Sequence, residues 1–330
     1  MGRGMQSSDR VGRRIKLHDL HVLMAVVQAG SMNRAAALLH TTQPAISRSI
    51  IELERAIGVR LLDRNPRGVE PTRYGRALLD GGAAMFDDLR QAVKNIEFMA
   101  DPTAGEVRIA CNPILATSFV SAIVDRLSRR HPRIRFHVLV RPAESLARDL
   151  RERNVDLLVA RRLGELATER LDFEPLFSDA YVVAAGAHNP CARRRRITLG
   201  ELRDEAWTLP PPESPTGLVA KEAFVASGID YPDVAVATIA PELRISLLAT
   251  GRFLSIFPDS VLRFPTGRPE IRVLPIELPV APVSVGIVTL RNRTLSPVAR
   301  LFIEHARDVA KPLAKRKWQG DWSLRGKILP

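Results

Sequence analysis

A cluster of polar side chains near the N-terminus has the composition of a surface that reads DNA bases. The cluster comprises Thr42, Gln43, Pro44, Ser47 and Arg48. An arginine can pair with guanine through two hydrogen bonds, a glutamine can pair with adenine, and a serine or threonine hydroxyl serves either a base or a phosphate. These residue types predict contact with base edges if one element presents all of them on one side.

The stretch that contains them, TTQPAISRSIIELERAIG (41–58), has the pattern of an amphipathic helix. Four apolar residues recur at separations of four, three and four positions, namely Ile46, Ile50, Leu53 and Ile57. This spacing places them on one stripe, which must be buried, and leaves the polar cluster on the other side. Thr42 suits the N-cap position and Gly58 suits the C-terminal end. A polar helix face is usually only solvated, so the neighbouring elements decide between the two interpretations.

Two further short helices are predicted before this one. Residues 18–29 carry an apolar stripe that ends at Gly30, and Ser31 suits the cap of a helix over 32–40. A short turn then leads into the helix that carries the polar cluster. This arrangement predicts a helix-turn-helix whose second helix enters the major groove.

A predicted wing and an excess of positive charge also favour contact with DNA. After Gly58, the runs RLLDR and GVEPT flank the turn NPRG, which predicts a two-stranded wing. Arg64 and Arg67 would extend from this wing toward phosphates or the minor groove. The chain has 49 Lys and Arg residues against 36 Asp and Glu residues, a net charge of +13. This balance favours a polyanionic partner, although surplus arginine can also reflect genomic composition.

Residues 17–75 resemble the winged helix-turn-helix of the LysR-type transcriptional regulators. The motifs AGS (29–31), TQPAISR (42–48) and LLDR (61–64) fall in register with that family, whereas Ile51 stands where the family usually has a polar or basic residue. The resemblance implies a sequence-specific regulator that binds promoter DNA and RNA polymerase in the bacterial cytoplasm, at the nucleoid. The predicted DNA-binding residues are Ser31, Thr42, Gln43, Pro44, Ser47, Arg48, Arg64 and Arg67.

Residues 73–100 have a long helical pattern with a seven-residue repeat. The predicted seam residues are Leu78, Met85, Leu89, Ala92, Ile96 and Met99, with Gly82 after the first. Their period of about 3.5 residues is that of a coiled coil, so we expect this helix to pair two copies of the chain. The resemblance implies the same, since the linker helix of the family pairs two DNA-binding heads within a dimer or tetramer.

Beyond a break at 101–105, strand and helix patterns alternate and indicate an α/β domain with a mainly parallel sheet. Strands are predicted at 106–110, 134–140, 155–160, 180–186, 234–240, 253–258 and 283–290, and helices at 115–130, 143–153, 215–227, 241–250 and 296–310. The resemblance implies a multidomain chain that ends in a two-lobed effector-binding domain, similar to a type 2 periplasmic solute-binding protein. The expected parts are a basic, disordered leader (1–15), a mainly α winged helix-turn-helix (16–74), a linker helix and hinge (75–104), an effector-binding domain (105–312) and a basic tail (313–330). Lobe I would comprise 105–180 and 283–312, and lobe II would comprise 181–282.

A ligand of such a fold binds in the cleft beyond the carboxyl ends of the strands. The candidate effector-binding residues are Asn112, Pro113, Ile114, Ala143, Arg161, Ser214, Thr216, Ala240, Pro241 and Phe257. Helix N-termini in these loops suit an anion, and Arg161 can take a carboxylate through two hydrogen bonds, so an organic acid is one expected effector. The alternative for each residue is a loop position that only caps a helix or faces water.

Other classes of protein have less support. No apolar run is long enough for a bilayer, no signal peptide is apparent, and Cys111 and Cys191 form neither a metal cluster nor a disulfide framework, which fits a reducing cytoplasm. We expect no metal or cofactor, and an enzyme that used the cleft would lack a catalytic constellation. A binding module whose head contacts proteins instead of DNA is the main alternative. The effector, the operator and the direction of regulation stay open.

Overall fold

The computed structural model describes residues 15–65, 68–162, 170–264 and 271–314. The chain forms two compact units, one of residues 1–90 and the other of residues 91–330. Within the described ranges, no helix is both long enough and apolar enough to cross a membrane.

The described part of the first unit contains three short helices, a two-stranded hairpin and the start of a long helix. These are α1 (Leu17–Ala29), α2 (Met32–Leu38), α3 (Gln43–Ile57), β1 (Leu62–Asn65), β2 (Gly68–Pro71) and α4 (Arg73–Ala100). The predicted helix-turn-helix and its antiparallel wing are confirmed. Ile46, Ile50 and Leu53 of α3 are buried in one core with residues of α1 and α2. Gly30 and Gly58 end α1 and α3 with φ of 66° and 88°, a left-handed conformation that glycine adopts without steric cost.

The second unit begins within α4, and its described residues form two five-stranded sheets. The strands of the first sheet are β3 (Ala104–Cys111), β4 (Arg133–Val140), β5 (Leu157–Arg161), β6 (Leu171–Asp179) and β12 (Val283–Leu290). Those of the second sheet are β7 (Tyr181–Gly186), β8 (Ala206–Leu209), β9 (Val234–Ala237), β10 (Phe253–Pro258) and β11 (Ile271–Val273). The helices are α5 (Pro113–Leu115), α6 (Ser121–Arg130), α7 (Ala143–Arg151), α8 (Pro215–Ala226), α9 (Pro241–Ala249) and α10 (Pro297–Ala314).

The two sheets repeat one topology. Their strand orders are β4-β3-β5-β12-β6 and β9-β8-β10-β7-β11. In each sheet the first three strands are parallel, and the last two are antiparallel to their neighbours. The expectation of a mainly parallel sheet is confirmed in strand direction, since four of the five strands in each sheet run the same way. Both sheets are mixed, because the strand that arrives from the other sheet, β12 or β7, runs against the parallel strands.

Each sheet is the centre of one lobe, and the chain passes between the lobes twice. β6 ends at Asp179 and β7 begins at Tyr181, so a single residue makes the first passage. The second passage leads from β11 into β12. The lobes have separate apolar cores, one around β3, α6 and α10 and the other around β7, β8 and α8.

Local details of the second unit differ from the expectations. The strands β6, β8 and β11 were not predicted. The helix expected over 115–130 is divided, since α5 is followed by a π-helical turn over Ala116–Val120 before α6 begins. A π-helical turn inside an α-helix frequently marks a functional site.

Candidate DNA-binding surface and effector cleft

The side of α3 that faces away from the core carries the polar cluster. Thr42, Pro44 and Arg48 are exposed, while Gln43 and Ser47 are half-buried. All five lie in the first turns of the helix or at its N-cap. Because the opposite side of α3 is fixed in the core, the direction of these side chains is fixed as well, which base reading requires.

The first amides of α3 are not taken by a cap side chain. Thr42 has the extended backbone of an N-cap, but its hydroxyl makes no cap hydrogen bond, and Ser31 at the start of α2 behaves in the same way. Both residues thus hold the predicted N-cap positions without the expected hydrogen bonds. An open helix N-terminus attracts phosphate through its amides and its dipole.

Ile51 lies on the same helix and is 44% exposed. It is absent from the core formed by the described residues of the first unit. An exposed apolar side chain near the polar cluster has the chemistry to contact the methyl group of a thymine.

Two contacts fix the wing against the helices. The Val69 amide in β2 donates a 3.1 Å hydrogen bond to the carbonyl oxygen of Gly30 at the end of α1. The Glu54 carboxylate of α3 accepts hydrogen bonds from the Leu61 and Leu62 amides at 2.7 and 3.2 Å. The sequence did not predict this role of Glu54, although its place in the motif LE (53–54) was an available sign. The wing is thereby held in a fixed place beside the helix that carries the polar cluster.

The two arginines predicted for the wing are only partly visible. Arg64 lies in β1, opposite Val69 in the hairpin register. Its side chain and the whole of Arg67 lie outside the described part of the chain. Their contacts with DNA stay predictions.

The helix α4 exposes an apolar row along its second half. The exposed members of the predicted seam are Met85, Leu89, Ala92, Ile96 and Met99. Ile96 is 66% and Met99 81% exposed, which is unusual for large apolar side chains. Leu78 differs, since it packs against the core of the first unit. Gly82 is also buried, and a Cβ there would come within 2.9 Å of Leu20. The uncovered part of the seam therefore runs from Met85 to Met99.

Two of the predicted effector residues cap helices. The Asn112 side chain accepts a 2.9 Å hydrogen bond from the Leu115 amide, and the Ser214 hydroxyl accepts one of 3.1 Å from the Gly217 amide. Their side chains thus have structural roles, which is the alternative that the sequence left open. The half-buried candidates at the starts of helices are Pro113, Ala143, Thr216 and Ala240.

The remaining candidates meet at the boundary between the lobes. Ile114 of lobe I packs in one cluster with Phe257 of lobe II, and both side chains are buried. Pro241, the first residue of α9, is buried as well. The π-helical turn over Ala116–Val120 contacts a 3₁₀ turn of lobe II, Asp259–Leu262. The loops predicted to bind a ligand therefore adjoin the contact of the two lobes.

Arg161 is placed differently from the expectation. It is 2% exposed, and its Nη1 donates to the Asp179 carboxylate at 2.6 Å. Asp179 also accepts hydrogen bonds from the Ser260 amide and hydroxyl at 3.0 and 2.6 Å. The carboxylate of Asp179 thus pairs with Arg161 and joins lobe I to the start of the 3₁₀ turn in lobe II. The Nε and Nη2 atoms of Arg161 are also buried and make no hydrogen bond within the described part of the chain.

Comparison with protein families identifies both units. The family model described as "Bacterial regulatory helix-turn-helix protein, lysR family" matches residues 17–76, and the "LysR substrate binding domain" matches residues 100–311. The transcriptional regulator GbpR of Azospirillum brasilense is 26% identical over 306 residues, which cover 92% of this chain and 89% of that protein. PcaQ of Agrobacterium fabrum is 24% identical over 310 residues, 94% of this chain and 100% of that protein.

Solved structures agree on the fold. Full-length CbnR in complex with its target DNA is similar at 22% identity and a TM-score of 0.52, covering 90% of this chain and 100% of that chain. A full-length OxyR variant from Pseudomonas aeruginosa is similar at 18% identity and a TM-score of 0.62, covering 92% and 99%. Since both family models match and each falls largely within one unit, this chain belongs to the LysR family of bacterial helix-turn-helix transcriptional regulators, which bind DNA and an effector and are not enzymes.

Proposed function

We propose that this regulator binds a two-fold-related promoter site as a homo-oligomer and that a small organic acid, bound between the lobes, controls it. The parts of the chain that serve these roles are the head (16–74), the linker helix and hinge (75–104) and the effector domain (105–312). RNA polymerase is the expected partner in transcription, and the bacterial cytoplasm is the expected compartment.

The exposed polar side of α3 carries the proposal for DNA. Gln43, Ser47 and Arg48 contact base edges, while Ser31 and Thr42 bind phosphate near the open helix N-termini. Pro44 contacts the DNA from the first turn, and the wing adds Arg64 and Arg67 as phosphate or minor-groove contacts. The neighbour CbnR, crystallised with its target DNA, supports this use of the head.

The uncovered seam of α4 supports pairing of two chains. Its exposed apolar residues repeat with coiled-coil spacing, and two copies that pack along this row would remove them from water. A dimer offers two heads, so the preferred DNA site would contain two half-sites related by two-fold symmetry.

The position of the candidate loops supports an effector between the lobes. Loops from both sheets lie at the carboxyl ends of parallel strands, beside the lobe contact, where open α/β sheets bind ligands. A ligand that binds both lobes more tightly in one arrangement would shift the population toward that arrangement.

Binding to DNA fragments tests the proposed function directly. Fluorescence anisotropy with fragments from upstream of the protein's own gene should show binding that weakens steeply with salt, because phosphate contacts release counterions. A fragment with both half-sites should bind more tightly than one with a single half-site. Absence of binding to all these fragments at low salt, by a folded oligomer, would favour the alternative of a head that contacts proteins.

A further inference from the structure

One arginine in lobe II is buried without a carboxylate. Arg244 in α9 is 0% exposed. Its Nε and Nη2 donate to the Ser255 hydroxyl at 3.0 and 2.6 Å, and Nη2 also donates to the carbonyl oxygen of Ile256. These partners are neutral, and Arg244 forms no ion pair with the described carboxylates. By contrast, the buried guanidinium groups of Arg161 and Arg293 pair with aspartates.

No carboxylate in the described part of the chain therefore balances the positive charge of Arg244. A buried cation is costly unless an anion or a full set of hydrogen bonds compensates it. Burial lowers the pKa of Arg244 to about 9, so the group stays charged at neutral pH. The phenols of Tyr181 and Tyr231 lie close to it, and burial raises the pKa of both, so neither supplies a negative charge at neutral pH.

The N-terminus of α9 adds to this positive potential. The Arg244 amide bonds to the carbonyl oxygen of Ala240, so Arg244 lies at the end of the first turn. The amide end of a helix dipole is positive, and Ala240 at the N-cap supplies no cap hydrogen bond. Glu242 is the acidic residue of this turn, but it lies on the exposed side of the helix. A buried cation thus lies beside the positive end of α9.

A second polar group on the same side of the sheet lacks a partner. Strand neighbours point to alternate sides, and Trp207 and Leu209 lie in the core beside α8, so Thr208 faces the opposite layer. The Thr208 Oγ1 is buried and makes no hydrogen bond within the described part of the chain. Ser255, which holds the guanidinium of Arg244, donates to the Thr208 carbonyl oxygen at 2.6 Å. Arg244 and Thr208 therefore belong to one polar layer.

This layer adjoins the boundary between the lobes. The guanidinium carbon of Arg244 lies 4.1 Å from the ring centre of Phe257. Phe257 packs in one cluster with Ile114, which follows the first strand of lobe I. Arg244 thus contacts an apolar cluster that contains residues of both lobes.

We propose that Arg244 is the counter-charge for a carboxylate of the effector, which binds at the N-terminal end of α9 next to Phe257. This inference rests on the proposed acidic effector and assigns its recognition to a residue that the sequence did not suggest. Arg161 differs because Asp179 already balances its charge, so its unpartnered Nε and Nη2 need only a neutral acceptor. Arg244 makes the site selective for anions over neutral molecules of the same shape.

Thermal unfolding of the full-length protein with simple probes tests this assignment. The probes are acetate and benzoate, compared with acetamide, benzamide and chloride at matched ionic strength. The two carboxylates should raise the Tm of the wild type above its value in chloride, and the two amides should not. Arg244→Met and Arg244→Gln should lose this carboxylate-specific shift, whereas Arg244→Lys should keep part of it.

A matched control variant distinguishes loss of the Arg244 charge from loss of a positive charge elsewhere in lobe II. Arg252 is exposed, lies over Phe253 and belongs to the same lobe, so Arg252→Met removes one charge there and should keep the carboxylate shift. Circular dichroism identifies which Arg244 variants are folded. One folded neutral variant, Arg244→Met or Arg244→Gln, is sufficient for the comparison.

The outcomes distinguish this inference from the proposed function. An equal carboxylate shift in the wild type and in a folded neutral variant overturns the role of Arg244 but leaves an acidic effector in place. No carboxylate shift in the wild type overturns both the role of Arg244 and the acidic effector. An equal loss in Arg252→Met would show a general charge effect and also overturn the assignment.

Discussion

The amide of Val69 in the wing donates a 3.1 Å hydrogen bond to the carbonyl oxygen of Gly30, at the end of the first helix. This bond joins the hairpin to the turn in front of Ser31, one of the predicted DNA contacts. Glu54 provides a second attachment from α3 to the start of β1. The helix α3 and the wing are therefore parts of one surface, and we expect changes at either attachment to affect DNA binding.

Gly68→Ala should damage this surface. Gly68 has φ of 137°, and a Cβ there would lie 2.6 Å from the Gly30 carbonyl oxygen. The strain should cost about 1–3 kcal/mol and break the hydrogen bond of the Val69 amide. Hydrogen exchange should show faster exchange of that amide, together with weaker DNA binding. Gly81→Ala in α4 is the control, because its Cβ would meet nothing within 4 Å. Unchanged exchange at Val69 in Gly68→Ala would contradict the attachment.

Arg48→Ala should weaken DNA binding and leave the fold intact. Arg48 is exposed on α3, so its truncation leaves no buried cavity. Loss of one bidentate base contact should cost about 1–3 kcal/mol, roughly a 5- to 150-fold rise in Kd, and relax specificity at one base pair. Anisotropy titrations give the Kd, and circular dichroism checks the fold. Arg195→Ala removes the same charge outside the head and should bind DNA like the wild type. An equal rise in Kd in both variants would show that Arg48 contributes only its positive charge and not a base contact.

Ile96→Glu should separate the paired chains. Ile96 is 66% exposed in one chain, and a carboxylate in an apolar seam would be costly to bury. Sedimentation velocity should show a shift from dimer to monomer at concentrations at which the wild type is paired. DNA with two half-sites should then bind more weakly. Glu97→Lys changes the charge of an adjacent exposed residue and should keep the oligomer. An unchanged sedimentation coefficient in Ile96→Glu would place the dimer contact elsewhere.

Neither cysteine should react in the native protein. Burial raises the pKa of the Cys111 thiol to about 12. Burial and the nearby Glu205 carboxylate also raise the pKa of Cys191. Since the thiolate is the nucleophile, both groups stay protonated and unreactive at about pH 8. Mass spectrometry after iodoacetamide treatment should find no adduct until guanidinium unfolds the chain. Rapid labelling of one cysteine in the folded state would instead indicate a reactive thiol.

The sequence alone predicted the bounds of an element where an apolar pattern is flanked by a capping or turn residue. The helix α3 begins one residue after its predicted cap and ends before Gly58, because its apolar stripe and its glycine point to the same boundaries. The strands β10 and β12 also agree with their predicted ranges, since each is a short apolar run between turn residues. In these cases the local sequence determines the local structure.

The strand β6 shows where this approach fails. Its sequence, LDFEPLFSD, contains Pro175 and several acidic residues, which argue against a strand. The structure tolerates the proline because β6 lies at the edge of its sheet and the register shifts where Pro175 faces Gly286. The position at an edge depends on β12, which lies far away in sequence. A local pattern therefore cannot reveal it.

Arg244 was missed for a related reason. In the helical stretch PELRISLLA, an arginine has the appearance of an exposed residue. Its burial follows from β8 and β10 beneath the helix. β10 provides Ser255 and the carbonyl oxygen of Ile256 as acceptors, and the Thr208 carbonyl oxygen of β8 binds Ser255. The pairing of β8 with β10 is nonlocal, so no local pattern indicates a buried charge. Arg161, in contrast, was noticed for its charge, while its partner Asp179 lay in a strand that was not predicted.

The one-residue passage at Ala180 limits how the effector domain can move. Its carbonyl oxygen accepts a 2.7 Å hydrogen bond from the Asp259 amide, so lobe II holds even this residue. A passage of one residue cannot lengthen, and peptide planes resist twisting, which leaves rotation about a few backbone dihedral angles as the motion of lowest cost. The lobes therefore cannot slide or separate along this edge. Their relative position is described mainly by the angle of rotation about this passage. A ligand that engages both lobes would change that angle, and not the distance between the lobes.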